Sequence, residues 1–175
     1  MSIHSSPGTL GISRRVLRIL IKLNLLMGVL ILALLVASLV AEEFVMRALG
    51  VHPAVGSSSL ILGMRLIMVF GIAAVPITHT VLARLLAIVD TVRVGDPFVV
   101  ENAVRLQKIA WSVLSLEALH LVIVTIAGGV STPQAPLDIG WDFSVTRWLA
   151  VLLLFVLARV FETGAHMREE LEGTV

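Results

Sequence analysis

Glu117 and His120 lie three residues apart in "SLEALHLVIV", a run that is otherwise apolar apart from one serine. On a helix that spacing places a carboxylate and an imidazole on one face, where they could relay a proton or hydrogen-bond a neighbour. Arg159 stands alone in "LLLFVLARVF", and Arg65 and Arg147 interrupt two more apolar runs. A charge inside hydrocarbon costs several kcal/mol on most scales, so each needs a partner, water, or an escape to the interface. Counting inward from the ends of their runs puts Glu117 and Arg159 at similar depth, which makes them a candidate intramembrane ion pair. The alternative is an Arg159 that snorkels to headgroups above a protonated or hydroxyl-bonded Glu117. Arg65 and Arg147 fall near the opposite surface. They either snorkel or join His120 in a polar cluster, with Glu42, Glu43, Asp138 and Asp142 lining an outer vestibule. His79 follows Pro76, whose missing N–H frees a carbonyl one turn earlier that Thr78 or Thr80 could satisfy.

Other chemistries find no residues. The chain has no cysteine, so disulfides, thiolate metal sites and cysteine nucleophiles are excluded. There is no H-x-x-x-H, no metal-ligand spacing of His and carboxylates, and no Walker or G-x-G-x-x-G loop. Ser57–Ser59 have no neighbouring base. The reading is a non-enzymatic protein with no cofactor, no metal and no direct nucleic-acid contact.

The elements that must carry these residues follow from composition. Hydrophobic residues make up 58% of the chain and charged residues 14%, against roughly 45–50% and about 25% in ordinary globular chains. The apolar residues come in blocks, and about 20 of them in a helix cross the hydrocarbon. Four spans are expected, at about 19–41, 60–83, 109–130 and 145–165, in one all-α transmembrane domain covering 13–175. Residues 1–12 read as a disordered tail. The first span follows "SRRVLRILIK" and is too long for a signal-peptide core, so it is expected to be retained.

Lys and Arg set the orientation. Arg14, Arg15, Arg18 and Lys22 precede the first span, and Arg84, Arg93, Arg105 and Lys108 lie between the second and third. The loop "STPQAPLDIGWDF" has none. Both ends and the second connection are therefore expected in the cytoplasm of a cell-membrane protein. Trp111 would lie at the inner interface, and Trp141 and Trp148 at the outer. The basic N-terminus could also bind anionic membrane lipid.

The connection "VRVGDPFVVENAVRLQKIAW" holds a turn signal. Gly95 is a natural helix C-cap and Pro97 prevents further helix, so two helices extend into the cytoplasm as a hairpin. The second would start with Asp96 as N-cap or a turn later, near Val99.

Two blocks carry a resemblance. "GDPFVVENAVRLQKIAW" is similar to G-x-P-F-x-x-E-N-x-x-x-L-x-x-I-x-W, and "VFETGAHMREELEGTV" to V-F-x-x-G-x-x-[LM]-R-E-[DE]-x-E-x-T-[IV]. Together they resemble the small bacterial four-span proteins grouped as domain of unknown function 2975. The resemblance implies a four-helix membrane bundle with no established activity, partnered by a small helix-turn-helix DNA-binding regulator. It carries over to Gly95, Pro97, Phe98, Glu101, Asn102 and Leu106, then Val160, Phe161, Gly164, Arg168, Glu169 and Thr174. Val99 departs from it, standing where relatives carry a capping Thr or Ser. Both blocks are expected at the cytoplasmic end, with Phe98 packing under the helices and Glu101 meeting Arg168, as a structural clasp or a docking surface. The leading reading is a regulatory or sensory membrane protein with a soluble partner. The alternative is a transporter or channel component, which would need a homo-oligomer.

Overall fold

A computed structural model describes residues 7–41, 57–131 and 144–172. They form four helices: α1 Pro7–Val40, α2 Ser57–Val94, α3 Val100–Val130 and α4 Val145–Glu172. All four are long and apolar enough to cross a membrane. All four are longer than the roughly 20 residues that a crossing requires. Residues 7–12, expected as tail, are the first turns of α1. Proline suits a first turn because its φ is already helical and its missing N–H would be unbonded there anyway. Residues 1–6, Glu42, Glu43, Asp138, Trp141, Asp142 and Thr174 lie outside the described residues.

Pro76 is carried inside α2 without ending it. The hydroxyl of Thr80 donates to the Pro76 carbonyl at 2.9 Å, and Asn24 of α1 donates to the Val75 carbonyl at 3.0 Å. Local threonine bonding was expected at the carbonyl one turn earlier; the two bonds serve the carbonyls at the proline itself.

α2 ends in a Schellman motif. Gly95 has φ +94, its N–H donates to the Val92 carbonyl at 3.1 Å, and the Asp96 N–H donates to Thr91 at 3.2 Å. A side chain with a Cβ is strained at that φ. α3 takes the later of its two possible starts, with Val99 as an extended N-cap that makes no side-chain capping bond.

Each helix packs on its neighbour in sequence: α1 on α2, α2 on α3, α3 on α4. Among the described residues α1 and α4 do not meet, so the bundle is open along that side. Leu106 and Ile109 of α3 and Ala158 of α4 form the core at the turn end, with Val81, Leu85 and Ile88 of α2 packed against them. Glycine brings helices together at the other end. A Cβ on Gly63 would lie 2.6 Å from the Val130 side chain. Small residues let membrane helices approach closely, since lipid tails are as apolar as the helices themselves.

Contacts between neighbours also set a common depth scale. Arg14 meets Asp90, Asn24 meets Val75 and Arg65 meets Ser38. Thr91 meets Asn102 and Gly63 meets Val130. Phe98 meets Phe161 and Trp111 meets Phe155. Stepping along each helix at about 1.5 Å per residue places Arg18, Arg84, Lys108 and Arg159 within about one turn of the same level. The same scale starts α4 level with about Leu121, roughly 14 Å short of the end of α3.

The Gly63 contact gives a test. Gly63→Ala should lower stability in detergent by about 1–3 kcal/mol through overpacking, and adding Val130→Ala should recover much of the loss. Thermal unfolding of the purified chain measures both.

Candidate functional site

The turn between α2 and α3 is built around Asn102, which is fully buried. Its amide nitrogen donates to the Thr91 hydroxyl at 2.7 Å and to the Pro97 carbonyl at 2.9 Å, and its oxygen accepts from Arg105 at 2.8 Å. Thr91 in turn donates to the Ile88 carbonyl at 2.7 Å. One side chain thus ties the last turn of α2, the connection and the first turn of α3. A buried amide is tolerable only when its donors and acceptor are met, and these are.

The end of α4 closes against that turn. The rings of Phe98 and Phe161 lie 5.2 Å apart, tilted by 38°. Gly164 leaves room beside them, since a Cβ there would come 3.1 Å from the Phe98 ring. Arg168 pairs with Asp96 of the turn, where the sequence pointed to Glu101. Asp96 lies at the start of the connection, opposite the last turns of α4, and Glu101 turns outward to solvent. Glu169 lies 3.7 Å from His166 on its own helix. Asp96, Phe98, Glu101, Ala165, Arg168 and Glu169 line a cavity of ≈ 190 Å³ here. Leu106 belongs to the core above it.

The charges within the spans are arranged differently from the sequence expectation. Glu117 faces Arg147 at 3.5 Å, and Arg159 pairs with Glu162, one turn along its own helix, at 2.7 Å. The Glu117–Arg159 pair does not form. Trp111 and Phe155 meet edge-on with ring centroids 5.3 Å apart. Stepping outward from that contact sets Glu117 opposite about Leu149, and Arg159 opposite about Gln107. Arg159 therefore lies nearer the turn end of the helices than Glu117 does. Arg65 and Arg147 meet different partners. Arg65 crosses to α1 and bonds the Ser38 hydroxyl at 3.0 Å and the Ser38 carbonyl. The last carbonyls of a helix carry its negative pole, so Arg65 caps α1. His120 makes no hydrogen bond or ion pair among the described residues, and His79 Nδ1 is buried without a partner. Among the described residues no group of His, Asp and Glu could hold a metal.

The family model for a protein of unknown function, DUF2975, matches residues 46–175. The chain belongs to that family. The match takes in α2, α3 and α4 with the Asn102 turn and the Phe98–Gly164 closure, and α1 precedes it. No curated protein and no solved structure matches the chain.

Asn102 and Gly164 came to notice through the family resemblance, as members of the expected clasp or docking surface. The pairing of Thr91 with Asn102 was missed altogether; two polar residues flanking a Gly-x-Pro turn are the signal that could have found it.

A double-mutant cycle separates the two ion-pair arrangements. Glu117→Ala and Arg147→Ala should show a coupling energy above about 0.5 kcal/mol in detergent unfolding. Glu117→Ala and Arg159→Ala should be additive.

Proposed function

We propose that this family member is a non-enzymatic, multi-pass protein of the cell membrane that presents the α2–α3 turn and the end of α4 to the cytoplasm as a docking surface. The observation that carries the reading is the closure itself. Phe98 is wedged against Phe161 and Gly164, yet 45% of it stays exposed beside an open cavity. A purely structural plug would be covered on all sides. Exposed apolar surface rimmed by polar groups is typical of a contact site for another protein.

The charge around the cavity favours a basic partner. Asp96 is occupied by Arg168, while Glu101 and Glu169 remain exposed at its edge. A small helix-turn-helix regulator, the partner implied by the family resemblance, carries the basic surface that binds DNA. Docking on this acidic, apolar edge would hold it at the membrane. Such a regulator would exchange one anionic surface for another. The chain itself would then control where the regulator is, with no chemical step of its own.

Site-specific photocrosslinking from Val99 in native membranes tests this reading. It should trap a small DNA-binding protein, and Glu101→Lys combined with Glu169→Lys should abolish the crosslink while leaving the chain folded. Recovery of lipid alone, or a crosslink indifferent to both charge reversals, would contradict it.

A further inference from the structure

The four cations that open α1 do two different jobs. Arg14 turns toward α2, with its Nε 3.0 Å from Asp90 Oδ1. Arg15, Arg18 and Lys22 are all exposed and meet no acidic side chain among the described residues. Their spacing of three and four residues sets them on one face of the helix. That face points away from α2, because Asn24, Gly28 and Ser38 occupy the side that packs on it. Further along it come Leu25, Leu26 and Val29, each about half exposed or more. The outward stripe therefore passes from cations directly into aliphatic side chains.

Depth decides what meets it. Arg18 lies level with Arg84, Lys108 and Arg159, so each helix contributes a cation at one height. From Arg15 to Lys22 the stripe covers about 10 Å, enough to cross the headgroup layer at the edge of a core about 30 Å thick. A lipid, with an anionic headgroup joined to an acyl chain, matches both halves of such a stripe at once. We propose that the outward face of α1 is a binding site for an anionic glycerophospholipid, with its phosphate on Arg15, Arg18 and Lys22 and its acyl chain along Leu25, Leu26 and Val29. Guanidinium groups present paired donors to phosphate oxygens, so two arginines and a lysine make a selective clamp. The open side of the bundle leaves the lipid free access, since α4 does not cover α1.

The site lies on the helix that precedes the family match, and it holds whichever partner docks at the turn.

The test uses the purified full chain in detergent, equilibrated with equal amounts of phosphatidylglycerol and phosphatidylcholine, with retained lipid counted by native mass spectrometry. Each cation near a charged surface contributes roughly a fivefold preference, so the unmodified chain should retain phosphatidylglycerol at least about tenfold over phosphatidylcholine. Arg15→Gln with Arg18→Gln should cut the ratio at least about fivefold, a larger loss than Arg15→Lys with Arg18→Lys should give. Arg14→Gln should melt earlier yet retain the preference. No preference in the unmodified chain, an undiminished one in the double glutamine variant, or equal loss in Arg14→Gln would overturn the proposal. Displacement of the lipid by excess glycerol 3-phosphate would also overturn it, by showing a site for a soluble phosphate.

Discussion

Every depth and distance in this molecule depends on how α3 is set against α2, and at the turn end that setting rests on the buried amide of Asn102. Its bonds to Thr91 and Pro97 join two helices at the point where the chain reverses. Gly95 makes the reversal sterically possible, and Pro97 keeps the connection from becoming helix. At the far end Gly63 lets Val130 approach. Two fixed points on one helix pair define a register. α1 and α4 then attach on either side, each to one neighbour only.

The register sorts the charges by depth. Arg65 reaches the carbonyl end of α1, where a cation is favoured by the helix dipole. Arg159 comes level with the cations Arg18, Arg84 and Lys108 of the other three helices. Glu117 and Arg147 lie between these levels, and each has the other as a partner.

Much of this was legible in the residues because the bilayer leaves few options. Four apolar blocks of sufficient length can only be helices there, and Gly95 before Pro97 announces a cap and a stop. Phe98 was expected to pack under the helices, but nothing in the sequence named Phe161 as the ring it meets. The partner of Glu117 was not legible. Counting from span ends assumes that both helices of a pair reach the surface, and α4 begins well short of the end of α3. That offset of about nine residues moves Arg147 beside Glu117 and carries Arg159 out of reach. Arg168 was misassigned for a related reason: Asp96 and Glu101 are close in sequence, but the chain turns between them and α4 meets only the first. The division of labour between Arg14 and its three neighbours was equally hidden, because helical phase says which residues share a face and not which face a partner covers.

The claim on which the proposed function turns is that α3 crosses the membrane with the α2–α3 turn on its cytoplasmic side. Single cysteines at Val94 and Ser131, both exposed and at opposite ends of the helices, allow it to be measured with a membrane-impermeant thiol reagent in sealed cells. The account predicts immediate labelling at Ser131→Cys and labelling at Val94→Cys only after permeabilisation. The reverse pattern, or equal reactivity of both in sealed cells, would contradict it.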